Sequence, residues 1–139
     1  MSIGQVSMNS VKSNVIVKPF GARQQAIVSL GDTHFVMGSS MIHDTISQSS
    51  RPIDLLLATL ATDCTFACQE AAPALGIPLH HLTTTAQWVD GTHSHAEIRF
   101  GMNGPDTDQS NLMIAFVKNR CQTYKLLSPV LMITLKAVI

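Results

Sequence analysis

Residues 52–72 read Pro-Ile-Asp-Leu-Leu-Leu-Ala-Thr-Leu-Ala-Thr-Asp-Cys-Thr-Phe-Ala-Cys-Gln-Glu-Ala-Ala. Pro52 suits the first turn of a helix, where its missing N–H removes no needed hydrogen bond. Asp54 falls where the positive end of the helix dipole favours an acid. From 53 to 72 the residues are apolar or small nearly all the way round, so the stretch predicts a helix buried on most sides. Pro73 is expected to end or kink it, with Gly76 and Pro78 confirming the stop.

Outward from this helix the pattern changes to strands. Upstream, residues 14–18, 25–30 and 33–37 are β-prone, and Gly31-Asp32 supplies a tight turn between the last two. Residues 38–51 are Ser-rich and polar and read as a loop. Downstream, 82–89 and 92–100 flank Asp90-Gly91, the signature of a two-residue hairpin turn. Asp106 and Gln109 form a capping box ahead of a second helix. Its apolar stripe is Leu112, Met113, Phe116, Val117, Cys121 and Tyr124, and Ser128-Pro129 ends it. In the tail Leu131, Ile133, Leu135 and Ala137 alternate with Met132, Thr134 and Lys136, a half-buried strand. Strands in antiparallel pairs, interrupted by two helices, make the class α+β.

The chain has 139 residues, enough for one domain over 1–139. Its 45% hydrophobic and 13% charged residues are the opposite of a disordered regulator's balance. Nine basic residues offset nine acidic ones with no basic block, so there is no electrostatic case for nucleic acid or an anionic membrane. The longest apolar run stops at Asp63, too short to span a bilayer. No secretion signal precedes Cys64, Cys68 and Cys121, which therefore read as reduced cytoplasmic thiols. Phosphate-loop, dinucleotide-fold, nucleophile-elbow and zinc-protease motifs are all absent. No cofactor is expected.

A metal site is not expected either. His93 and His95 would share one strand face, but a two-residue turn pairs them with Trp88 and Ala86. That leaves His80 and His81 roughly 17 Å away, at about 3.4 Å per residue, and two exposed hairpin histidines is the simpler account. Cys64 and Cys68, one helical turn apart, read as packing, as does Cys121, although Lys118, Arg120 and Lys125 near it in sequence would favour a thiolate. Asp63 is different. A carboxylate among apolar neighbours must pair with a cation, for which Arg23, Arg51 and Arg120 are candidates, or stay protonated. The residue types fit a buried structural ion pair and a functional carboxylate equally well.

The run from Pro52 to Thr65, a proline, an acid, a Leu-Leu-Ala pattern and then a cysteine, resembles the central-helix motif of the OsmC/Ohr family. The Gly76-Ile77-Pro78-Leu79 segment, the hairpin after it, and a second helix carrying Cys121 before a final strand are similar to the same family, so the resemblance covers nearly the whole chain. It implies an intertwined homodimer, with antiparallel sheets around long central helices. It also implies reduction of organic hydroperoxides by a cysteine pair, with an arginine as activating charge and an external dithiol as reductant. Carried onto this sequence, the pair is Cys64 and Cys121, and Arg23 lies where the arginine belongs. The sequence departs from the pattern at four points: the usual proline after the second cysteine is Gln122 here, and three departures lie in the first helix. Asp63 stands where counting from Pro52 puts the attacking cysteine, Cys64 is one residue late (about 100° around a helix), and Ile53 replaces the expected glutamate.

Two functions follow from the resemblance. One is weak thiol-dependent peroxide reduction by Cys64 and Cys121 with Arg23. The other is a non-peroxidase dimer, with Asp63 at the attacking position, that binds a small apolar ligand in the interfacial pocket. Cys64 approaching Cys121 favours the first; Asp63 pointing at Cys121 while Cys64 is lost in packing favours the second. The charge-poor composition and the all-round apolar helix carry one prediction of their own. At low micromolar concentration, sedimentation should give about twice the 15.0 kDa chain mass; a stable, cooperatively folded monomer would refute the dimer.

Overall fold

The computed structural model describes residues 15–19, 21, 25–38, 51–91 and 93–138. The chain divides into two compact units, residues 1–52 and 53–139.

In the first unit, β1 (Val15–Pro19), β2 (Gln25–Leu30) and β3 (Thr33–Gly38) form an antiparallel sheet in the order β1-β2-β3. Leu30 pairs with Thr33, so Gly31-Asp32 is the two-residue turn expected, with Gly31 at φ +59°. Pro19 ends β1, an edge strand, where a missing N–H is tolerated. Val28 in the middle strand is buried, whereas Val15, Ile16 and Val17 are exposed.

The second unit is a helix-on-sheet core. It begins with α1 (Pro52–Leu75), followed by β4 (His81–Trp88), β5 (His95–Asn103), α2 (Thr107–Arg120), α3 (Gln122–Leu127) and β6 (Met132–Val138). Together with the first unit this makes an α+β fold. β5 is the central strand. β4 pairs with it antiparallel, but β6 pairs with it in parallel. Antiparallel pairing is therefore not uniform, because the α2–α3 connection crosses over and returns the chain in the direction of β5. Ala96, Ile98, Phe100 and Met102 alternate inward from β5 and are buried. Leu135 and the partly buried Leu131, Ile133 and Ala137 join them from the tail, in the alternation the sequence implies. On the opposite face of the sheet Glu97 contacts Arg99 and Lys136. Among the described residues, no helix is long and apolar enough to cross a membrane.

Helix α1 contributes Leu57, Leu60, Cys64, Ala67, Cys68, Ala71 and Ala72 to this core. The sheet of this unit covers that face, and Leu56 and Phe66 are exposed on others. The burial on most sides expected from composition would need cover beyond this sheet, because a single sheet can cover only one side. Thr59, Thr62 and Thr65 fit into the helix by donating their hydroxyls to the carbonyls of Leu55, Ala58 and Ala61.

Four expectations are corrected by the structure. Pro73 does not end α1, which runs on to Leu75. It lies in the last turn, where only one ladder bond is lost, and the true stop is Gly76 at φ +67°, with Ile77 N–H on the Ala72 carbonyl and Gly76 N–H on that of Pro73. The hairpin register is not that of a two-residue turn: Trp88 pairs with Ala96, and Val89–Gly91 forms a 3₁₀ turn with Asp90 at φ 57°. His93 consequently lies outside the strand at φ 55°, edge-on to Trp88, while half-buried His95 bonds Thr134. The second helix is broken at Cys121 rather than continuous to Ser128. Leu112, placed in its apolar stripe, is exposed. The Asp106–Gln109 capping box forms as expected, with both reciprocal bonds present.

Gly104 links β5 to α2 at φ +120°, and an added Cβ would overlap the Pro78 carbonyl oxygen. Both the backbone region and the contact exclude a side chain. Gly104→Ala should therefore lower unfolding free energy by about 2–4 kcal/mol. Urea denaturation will check this, and an unchanged midpoint would contradict the close approach.

Candidate functional site

Asp63 and Cys64 are neighbours on α1 and point about 100° apart. Cys64 sits on the buried face, between Leu60 and Cys68. Asp63 lies at the edge of that face and is half-buried. Cys121 comes from the break between α2 and α3, where it is both the C-cap of one helix and the N-cap of the next. Its extended backbone (φ −76°, ψ 114°) ends α2, and its Sγ accepts the Tyr124 N–H at 3.4 Å. Asp63 Oδ2 accepts the neighbouring Thr123 N–H at 3.0 Å. The two first-turn donors of α3 thus find partners in a sulfur and a carboxylate, which is why the chain can break the helix here.

The three groups converge. Cys64 Sγ and Cys121 Sγ are 3.8 Å apart, and the Cys121 thiol donates to Asp63 Oδ2 at 3.4 Å. Both cysteines are free thiols. Closing a disulfide would draw the sulfurs together by about 1.8 Å. Cys68 stands apart, its thiol against Met102 Sδ at 3.9 Å. Both arrangements set out as alternatives in the sequence therefore occur together: Asp63 points at Cys121, and Cys64 approaches Cys121.

The electrostatics oppose thiolate formation. Burial holds Cys64 far above the ordinary thiol range, and the neighbouring Cys121 and Asp63 add to the rise. Burial alone pushes Cys68 up to about 11. Cys121 is also raised, first by burial; the Tyr124 N–H works against this and the Asp63 carboxylate with it. Its sequence-adjacent cations do not serve it as expected: Arg120 pairs with Glu70 at 2.8 Å and lies over the Phe116 ring.

Asp63 is neither neutral nor fully buried, in contrast to the expectation from its apolar neighbours. Hydrogen bonds from Thr123, side chain and backbone, hold its carboxyl below the ordinary 3.8. Among the described residues it has no arginine ion pair; its partners are an N–H, a hydroxyl and a thiol, which is why apolar sequence context misjudged it. Arg23 lies outside the described residues. Thr123 and Tyr124 are site residues the sequence did not mark, since a cysteine N-cap is not a usual helix-start signal. Among the described residues, no group of His, Cys, Asp or Glu side chains is arranged to hold a metal ion.

Beside Asp63, the exposed side of α1 forms an open depression of about 450 Å³. Leu55, Ala58 and Phe66 line it with Thr59, Thr62, Asp63 and Thr123.

No protein-family model and no curated protein matches the sequence. Solved structures do match the fold. An OsmC-like protein from Mycoplasma pneumoniae superposes with a TM-score of 0.76 at 16% identity, covering 93% of this chain and 97% of that one. The chain has the OsmC/Ohr fold. An organic hydroperoxide resistance protein, OsmC, from Legionella pneumophila matches with a TM-score of 0.72 at 14% identity, over 91% of this chain and 97% of that one. An OsmC-like protein of unknown function from Vibrio cholerae matches with a TM-score of 0.75 at 11% identity, over 91% and 99%.

The Asp63 interactions predict a pH effect. Its carboxyl is depressed on folding, so the stability it adds is whole above the ordinary value of 3.8 and is lost as pH falls through the lower folded value. At pH 6, Asp63→Asn should destabilise by about 1 kcal/mol, allowing for solvent screening. The difference from wild type should shrink below pH 4. A difference independent of pH in urea unfolding would mean the charge is not the stabilising feature.

Proposed function

We propose that this protein is a slow thiol-dependent reductant of organic hydroperoxides, working through Cys64 and Cys121 as a homodimer. The observation that carries this reading is the 3.8 Å approach of the two thiols, brought from α1 and from the α2–α3 break. Cys121 is the first to react: burial weighs most on Cys64, and the Tyr124 N–H in the first turn of α3 favours the Cys121 thiolate, working against burial and the Asp63 carboxylate. Its thiolate attacks the terminal peroxide oxygen and the O–O bond breaks. The departing alkoxide takes a proton and leaves as the alcohol, and Cys121 becomes a sulfenic acid. Cys64 then displaces water from it to form a disulfide, which an external dithiol reduces. Turnover is slow because both thiols are held above their ordinary range and Asp63 adds negative charge beside them.

A second reading is favoured by Asp63 itself. It lines an open depression whose other described lining residues are uncharged, which suits a non-peroxidase dimer binding a small apolar ligand. A second copy laid along the exposed side of α1 would close that depression and cover Phe66, which is 61% exposed in the single chain.

Titration with cumene hydroperoxide should consume two thiols per chain and yield a Cys64–Cys121 disulfide, leaving Cys68 reduced. Limiting iodoacetamide should label Cys121 before Cys64, with a rate still rising between pH 7 and 9, since the folded thiol lies above 9.0. Thiols untouched by excess peroxide would remove the redox reading. Fast turnover lost in Cys64→Ser, with Cys64 labelled first, would reverse the assignment of roles.

A further inference from the structure

We propose that Thr123 is a positioning residue for the thiol pair: with its N–H and its hydroxyl it fixes the Asp63 carboxylate, and so loosens the hold of that carboxylate on the Cys121 thiol. This rests on the thiol reading above and assigns a regulator to the same site.

One carboxylate oxygen has two claimants. Asp63 Oδ2 accepts the Thr123 N–H at 3.0 Å and the Cys121 thiol at 3.4 Å. The Thr123 hydroxyl donates to the same carboxyl, and no other contact does more to keep it ionised. Three donors thus share one carboxylate, and the thiol is the weakest of them. The N–H and the O–H each draw electron density from the oxygens that the thiol would otherwise use.

Asp63 keeps Cys121 a thiol. The S–H···O bond favours the protonated sulfur, and the carboxylate charge opposes the thiolate. The Tyr124 N–H, on Cys121 Sγ at 3.4 Å, works the other way. Among the described residues, the titratable groups bearing on Cys121 are Cys64 and Asp63, both on α1; Arg120, at the end of α2, is engaged by Glu70. The state of the sulfur therefore turns on how much of the Asp63 charge is left for it, and Thr123 sets that share. Thr123 is also well placed for this. It follows Cys121 by two residues in the first turn of α3, so one helix break carries both the sulfur and the group that orders its carboxylate.

Iodoacetamide labelling of Cys121 in the folded, reduced full chain, mapped by mass spectrometry from pH 6 to 9, gives the readout. Thr123→Val keeps the backbone N–H and the side-chain shape and removes only the hydroxyl. It should slow labelling at pH 7 about threefold or more and displace the rate–pH curve to higher pH, because only the thiolate is alkylated. Thr123→Ser should restore the wild-type curve. Asp63→Asn should speed labelling, and adding Thr123→Val to it should change nothing further. Thr123→Ala carries the same expectation as Thr123→Val should the latter fail to fold. Superimposable curves for wild type and Thr123→Val would overturn the proposal, as would an equal slowing in the Asp63→Asn background. Cumene hydroperoxide on the same proteins separates this from the peroxide reading: labelling that follows the series, with thiols untouched by peroxide, would overturn that reading alone.

Discussion

One face of α1 has to be covered, and the sheet β4–β5–β6 covers it. Leu57, Leu60, Ala67 and Ala71 pack with Ile98, Phe100 and Met102 in one core, and two cysteines are part of the same helix face. The small residues let the helix lie close to the sheet, close enough for Cys68 to touch Met102. That closeness is also what removes Cys64 from water. A thiol needed for packing is placed where its anion is least stable, so the core that secures the fold also disfavours the thiolate of Cys64.

Asp63 shows how much depends on one step of a helix. A residue earlier than Cys64, it emerges at the margin of the core instead of inside it. There it serves the first turn of α3 through Thr123 and holds the Cys121 thiol. The same carboxylate anchors the helix break and faces an open depression. Two readings of function can therefore coexist around one side chain, because its two neighbourhoods, sulfur on one side and an apolar wall on the other, make different demands of a ligand.

Much of this was legible in the residues. The β2–β3 turn, the capping box at Asp106, the alternation in β6 and the position of α1 follow from local chemistry that tertiary structure had no reason to override. The misreadings were all questions of context. Pro73 is harmless in a last turn, and only the Gly76 geometry shows where α1 stops. Asp90-Gly91 promised a two-residue turn, but the register instead accommodates a 3₁₀ turn and displaces His93. The break at Cys121 needed a carboxylate from 58 positions upstream, which no local pattern can announce. The cysteine pair itself was legible only through family resemblance, since spacing alone favoured packing.

The parallel pairing of β5 with β6 has a consequence for how the site comes into being. Parallel strands cannot be joined by a tight turn, so the crossover through α2 and α3 must be completed before Met132 can lie beside His95. Cys121 rides on that crossover, 57 residues from Cys64. The sulfur pair is therefore a product of long-range closure, and neither helix can assemble it alone. Contacts of this span form late and slowly. The 3.8 Å approach of the two thiols is therefore available only to a chain whose second unit has this crossover in place.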